Sequence, residues 1–122
     1  MYCKIYLHFT DERSILLNIL NSILNGIEIK SNTLICTNKL EVDALYNKEF
    51  DENKIKEFPD GFLFWKMMLE FHYEGENEDV FVENLSISLK SLWDKKIPAI
   101  ATDFEEFLPE NGGYKSIKIP WP

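Results

Sequence analysis

Phe62-Leu63-Phe64-Trp65-Lys66-Met67-Met68-Leu69-Glu70-Phe71-His72-Tyr73-Glu74 decides the fold. Its odd positions, Leu63, Trp65, Met67, Leu69, Phe71 and Tyr73, are all apolar. Alternate side chains of a strand share one face, so the run predicts the longest strand of the chain, Phe62 to Glu74. Phe62, Phe64 and Met68 make its second face apolar at the start. A strand apolar on both sides belongs in the middle of a sheet. The charged stretch Asn47 to Asp60 before it reads as a loop, closed by Pro59-Asp60-Gly61.

Working outward, Leu40 to Tyr46 alternates in the same way and predicts a neighbouring strand. Residues 27–37 are strand-like, with a bend at Ser31-Asn32, and add an extra hairpin strand. Met1 to Phe9 sets Cys3, Ile5, Leu7 and Phe9 on one face and Tyr2, Lys4, Tyr6 and His8 on the other. Thr10 is placed to cap a first helix, with Asp11 and Glu12 in its first turn and Gly26 as its stop. Ile15, Leu16, Ile19, Leu20, Ile23 and Leu24 form its apolar stripe. A second helix runs from Glu78 to about Lys95, with Phe81, Val82, Leu85, Leu89, Leu92 and Trp93 on its core side. Pro98 to Asp103 predicts a short closing strand, and an irregular tail follows.

The order is β-α-β-β-α-β. It predicts an α+β protein of the ferredoxin-like sandwich type, a mainly antiparallel sheet with two helices on one face. A chain of 122 residues supports one domain, residues 1–122, with a core over 1–104 and a tail over 105–122. Hydrophobic content of 45% and aromatic content of 14% suffice for that core.

Composition also excludes partners. Twenty-one acids against 13 bases give a net charge of −8, which repels nucleic acid and anionic lipid and favours basic partners. Tyr6, Phe62 and Phe64 invite comparison with sheets that stack RNA bases. However, Glu70, Glu74, Glu76, Glu78, Asp79 and Glu83 fall in a window without lysine or arginine, which repels phosphate. No apolar stretch reaches membrane-spanning length, and the N-terminus lacks the basic-then-apolar pattern of a secretion signal. A cytoplasmic protein with two reduced, buried cysteines, Cys3 and Cys36, is expected.

Catalytic signatures are missing. His8 and His72 both lie in strands without a nucleophile arranged beside them, and no GxSxG, P-loop, dinucleotide or HExxH motif occurs. The carboxylate clusters Asp51-Glu52, Glu57 with Asp60, and Asp103-Glu105-Glu106 lack the alternation of a calcium loop. The expectation is therefore a non-enzyme without metal or cofactor. Protein binding fits better. In Asp103-Phe104-Glu105-Glu106-Phe107-Leu108-Pro109 acids alternate with aromatics, the mix that steers and then anchors a basic partner. Asp103, Glu105 and Glu106 are the first candidates for such contacts. Glu76 and Asp79, at the start of the second helix, are the second.

Several blocks carry a family resemblance. They are Val42-Asp43 through Asn47-Lys48-Glu49-Phe50-Asp51, Asp60-Gly61-Phe62-Leu63-Phe64-Trp65 with Leu69-Glu70, and Leu92-Trp93. Pro98-Ala99-Ile100-Ala101, Asp103-Phe104-Glu105, Leu108-Pro109 and Gly112-Gly113-Tyr114 complete the set and are its most specific part. On these residues the chain resembles small bacterial immunity proteins encoded beside polymorphic toxins of the contact-dependent-inhibition and Rhs type. It departs from them at Met67-Met68, where an aromatic pair is common, and at Thr102, where a small residue or cysteine is common. The resemblance implies a cytoplasmic inhibitor of one cognate toxin C-terminal domain, commonly a nuclease with a basic groove, which an acidic surface would cover. The alternative is a small-ligand-binding or regulatory domain, marked by a pocket lined by Trp65 and Tyr6. A carboxylate-pair hydrolase would instead show a divalent metal at Asp51, Glu52 or Asp103.

Overall fold

The computed structural model describes all residues, Met1 to Pro122. Six strands form one antiparallel sheet: β1 (Tyr2–Leu7), β2 (Gly26–Lys30), β3 (Thr33–Cys36), β4 (Leu40–Tyr46), β5 (Met67–Tyr73) and β6 (Ala99–Ala101). Their order is β2-β3-β4-β5-β1-β6. Two helices, α1 (Arg13–Asn21) and α2 (Glu78–Asp94), complete the α+β fold. The four strands of a ferredoxin-like sandwich are thus replaced by six. The reason is the segment between α1 and β4, which makes a full hairpin and takes the sheet edge. Its two-residue turn needs positive φ at both positions, and Ser31 (51°) and Asn32 (66°) supply it.

β5 is central, paired with β1 from Tyr2↔His72 to Leu7↔Met67 and with β4 from Leu40↔Tyr73 to Tyr46↔Met67. Its odd positions Met67, Leu69, Phe71 and Tyr73 enter the main core with Cys3, Ile5 and Leu7 of β1 and Val42 and Ala44 of β4. Leu16, Leu17 and Leu20 of α1 join them, as do Phe81, Leu85, Leu89 and Leu92 of α2. Both helices therefore cover one face of the sheet. α2 starts where expected, because Asn77 caps it: Oδ1 accepts the N–H groups of Asp79 (3.0 Å) and Val80 (3.4 Å). α1 is shorter than its apolar stripe predicts. Glu12 replaces Thr10 at the cap, and the chain leaves the helix at Asn21, before a left-handed Asn25 (φ 54°).

The strand predicted over Phe62 to Glu74 begins only at Met67. Asp60–Phe64 forms a 3₁₀ turn instead. Asn47, nearly buried, holds this arrangement. Its Nδ2 donates to the carbonyls of Leu63 (2.9 Å) and Trp65 (2.8 Å), and its own N–H donates to Lys66 O (2.9 Å). The apolar residues freed from the strand build a second, smaller core on the opposite face of the sheet. Trp65 is fully buried there with Ile55, Phe62, Ile100 and Ile119. Its Nε1 donates to Ile55 O (2.9 Å), and its ring meets Trp121 edge-on at 4.9 Å. Loop and tail are thereby fastened to half of that face.

The tail also closes the β6 edge. Trp93 Nε1 donates to Ala99 O (2.9 Å), and Gly113 adopts φ 98° so close that a Cβ would meet Ala99 O at 2.9 Å. The other edge, β2, is short and carries an irregularity between Gly26 and Glu28, both of which discourage further pairing.

Truncating a large buried side chain typically destabilises by ~3–5 kcal/mol. Trp65→Ala is expected to lower stability on that scale in denaturant titrations. It should also expose the segment from Tyr114 to Trp121 to limited proteolysis. Leu69→Ala should destabilise the whole sheet without singling out the tail. Resistance of the tail in Trp65→Ala would show that the second core does not hold it.

Candidate functional site

The strand register decides which charges meet. β1 starts, β4 starts and β5 ends at the same end of the sheet, and α2 starts there too. Glu41 and Asp43 of β4, Glu70 of β5 and Glu74 just after it gather at this end, followed by Glu76, Glu78 and Asp79 at the turn into α2. Asp103 reaches it from β6: Cys3 Sγ lies 3.6 Å from Asp103 O. An aromatic row links the two candidate groups. Tyr73 stacks on Phe81 at 5.6 Å, and Phe81 meets Phe104 edge-on at 5.3 Å. Asp103-Glu105-Glu106 and Glu76-Asp79 thus share one acidic end, although the sequence separates them. Lys4, Lys39 and the terminal amine are the bases nearby, and the amine is bound to Tyr73 O at 2.7 Å.

Within this end the segment after β6 stands out. Phe104 takes a left-handed conformation (φ 60°) that its neighbour supports, since Asp103 Oδ1 accepts the Phe104 N–H at 2.9 Å. Glu105–Phe107 then forms a 3₁₀ turn. The residues of the turn divide. Phe104 packs against the main core and Leu108 is buried, as a tail lying on the core requires, but Phe107 is 56% exposed. Asp103 and Glu106 are exposed and Glu105 half-buried, so an aromatic ring stands in water among carboxylates. A cleft of about 340 Å³ adjoins the turn, lined by Glu105, Glu106, Thr102, Phe62, Ile100 and Tyr114. Tyr114 closes it from the tail, its hydroxyl donating to Asp60 Oδ1 at 2.9 Å. That hydrogen bond, with burial and the Asp60 charge behind it, raises the Tyr114 pKa.

A pocket lined by Trp65 and Tyr6 is not formed. Trp65 is sealed in the second core, and Tyr6 lies edge-on to Phe62 at 5.4 Å. A groove of about 620 Å³ at the far end, between α2 and the tail, is lined mainly by charged groups such as Lys90, Asp94, Lys96 and Lys118. It lacks the apolar walls that hold small molecules.

The two thiols are held in their protonated form. Burial pushes the Cys3 thiol up to about 12, with the negative field of Asp103 and Glu105 adding to it, and burial pushes Cys36 up to about 11. Asp51 and Glu52 do not converge with Asp103. The metal-ligating side chains that do come together are Asp43, Glu70 and His72 on the uncovered part of the sheet. Sequence reasoning passed over this trio because its members sit on two strands. The signal available was Glu70 and His72 two apart on a polar face; Asp43 enters only through the register Asp43↔Glu70. His8 stacks near Phe50 (6.1 Å) and accepts the Lys66 N–H at 3.4 Å.

Comparison with known proteins adds no relative: no family model, no curated protein and no solved structure matches the chain. No helix is long and apolar enough to cross a membrane.

His8 yields a test of pH dependence. Burial, helped by Lys66 and opposed by Glu52, holds its pKa below the ordinary 6.5. The unfolded chain then binds the proton more readily than the folded one. The stability this contributes is complete above the unfolded pKa and is lost as pH falls through the folded pKa. The melting temperature of the wild type should therefore drop between pH 7 and pH 5 more than that of His8→Gln. Equal slopes for the two proteins would remove His8 as the source.

Proposed function

We propose that the chain is an immunity protein that binds and neutralises a cognate toxin domain, covering a basic groove with its acidic end. The observation that carries this reading is the turn Asp103 to Phe107, where an exposed phenylalanine stands among carboxylates beside an open cleft. Tight interfaces need two things that this turn supplies. Charges steer the encounter and suppress wrong partners, and an aromatic side chain that loses its water supplies affinity. Glu76 and Asp79 extend the acidic field across the start of α2, so acids outnumber the bases Lys4, Lys39 and the terminal amine at this end.

The resemblance of Asp103-Phe104-Glu105, Leu108-Pro109 and Gly112-Gly113-Tyr114 to immunity proteins supports the same reading. Those residues include the ones that position the acidic turn: Gly112 and Gly113 seat the tail on β6, and Tyr114 walls the cleft. The partner would be a toxin C-terminal domain with a cationic substrate groove, a nuclease best of all, because a nuclease must attract phosphate. The protein itself would carry no enzymatic activity and need no cofactor, acting in the cytoplasm. The rival reading, a small-ligand or regulatory domain, has lost its marker with the burial of Trp65.

The test is co-expression with candidate toxin C-terminal domains, followed by co-purification. Glu105→Lys with Glu106→Lys should weaken the complex at least ~tenfold, which is about 1.4 kcal/mol. Association should also slow as salt rises, since exposed charges are screened over about 8 Å at physiological ionic strength. Phe107→Ala should speed dissociation and leave the salt dependence intact. Unchanged affinity in both variants, with circular dichroism unchanged, would move the interface elsewhere.

A further inference from the structure

We propose that Asp43, Glu70 and His72 form a binding site for a divalent transition-metal ion, zinc by preference, on the sheet face opposite the helices. The three side chains project from adjacent strands, and one donor atom of each lies within 4.8 Å of the others. The register makes the grouping rigid. Asp43 on β4 faces Glu70 on β5 directly, and His72 follows Glu70 on the same face.

Two carboxylates directly opposite one another across a strand pair destabilise the sheet unless a positive charge sits between them. The lysine that should help does not. Lys4 is opposite Glu70 on β1, yet its Nζ lies over the Tyr6 ring, 5.7 Å from the centroid. The closest contact within the trio is His72 Nε2 with Asp43 Oδ2, at 3.1 Å. Glu41, opposite His72, adds a further negative charge.

The surroundings resemble the outer shell of a metal site. Thr33 on β3 donates its hydroxyl to Asp43 Oδ1 at 2.6 Å, and Tyr2 on β1 donates its hydroxyl to Glu70 Oε2. Asp43 is thus held through Oδ1 and Glu70 through Oε2 by strands outside the trio, and an ion between Asp43 Oδ2 and His72 Nε2 would replace the direct contact those two atoms now make. Such hydroxyl and carboxylate partners fix ligand orientation around bound metals. Zinc bond lengths near ~2.0 Å put neighbouring tetrahedral ligand atoms about 3.3 Å apart, and the His72–Asp43 spacing is already close to that. Glu70 offers an oxygen within 4.8 Å of the other two donor atoms, so the third ligand has to move inward on binding. One imidazole nitrogen with two carboxylate oxygens suits zinc; calcium and magnesium want more oxygens than the trio offers. Three protein ligands leave a tetrahedral ion one open position, directed at solvent or at whatever covers this face.

The inference does not depend on the toxin reading, and its test needs no partner. Chelator-stripped protein is titrated with zinc chloride by calorimetry at neutral pH, and with cobalt chloride by visible absorption. One ion per chain is expected, with the His72 ring resonances shifting on binding. His72→Gln and Asp43→Asn should each weaken binding at least ~tenfold, and Thr33→Val should weaken it less. A Cys3→Ser/Cys36→Ser variant should bind as the wild type does, which separates this site from thiol capture by unfolded chains. Magnesium chloride should not compete. Absence of saturable zinc binding would overturn the proposal. So would binding that survives His72→Gln or disappears only with the cysteines.

Discussion

The two-sided pairing of β5 is the constraint on which everything else rests. Because β5 bonds to β1 and β4 along its whole length, every one of its side chains is committed to a face. Met67, Leu69, Phe71 and Tyr73 are committed to the helices. Met68, Glu70 and His72 are committed to the other side, where no helix packs. A shift of one residue in this register would bury Glu70 and His72 under α1 and α2 and expose Leu69 and Phe71. Burial of an unpaired carboxylate is far more costly than any local preference of the chain, so the register is specified strongly.

Asn47 then decides how much of the second face stays open. By taking the carbonyls of Leu63 and Trp65 it stops the strand before Met67 and turns the preceding apolar residues over the sheet. These carbonyls would otherwise have joined a ladder. A carboxamide in a nearly closed site satisfies them at similar distance, so the interruption leaves no buried polar side-chain atom without a partner. Trp65 and Phe62 become the floor on which Ile119 and Trp121 rest, and the tail that rests there carries Glu110 to Tyr114 back along β6. The acidic turn is therefore positioned from both sides, by the main core through Phe104 and by the second core through Tyr114.

Much of this was legible in the sequence, and the failures have physical causes. The alternation of Met1 to Phe9 and of Leu40 to Tyr46 gave β1 and β4 almost to the residue, because each has one polar and one apolar face. The start of β5 was misplaced because Phe62, Phe64 and Trp65 are apolar for a different reason than Leu69 and Phe71. Periodicity does not distinguish a strand that continues from a loop that folds back to build a second core. The bend at Ser31-Asn32 was legible and is the turn of the β2–β3 hairpin, but periodicity did not show that both of its arms join the sheet edge. The acids of the candidate surface were readable one by one. Their convergence was not, since it depends on strand register and on the Phe81–Phe104 contact between segments far apart in the chain.

Net charge alone would say little about partners, but its distribution says more. Apart from Lys4 and Lys39, several of the bases lie away from the acidic end. Arg13 lies over the Tyr46 ring at 4.4 Å, Lys66 adjoins His8, and Lys95 and Lys96 precede Pro98, whose carbonyl binds the His8 N–H. The molecule is thus uneven along the strands, with acids least balanced by bases where α2 begins. Helix dipoles oppose this arrangement less than they reinforce it, because Glu78 and Asp79 sit at the positive N-terminus of α2 and Lys95 and Lys96 at its negative end. A protein so charged approaches a cationic surface already turned, acidic end first, which raises the fraction of encounters that succeed. The same carboxylates need not hold the complex once formed. Exposed acids lose most of their attraction to salt and solvent, whereas Phe107 loses water only on contact. Orientation and retention are thus divided between neighbouring residues of one short turn. That division lets the charge of the turn change without loss of grip, and the grip change without loss of approach.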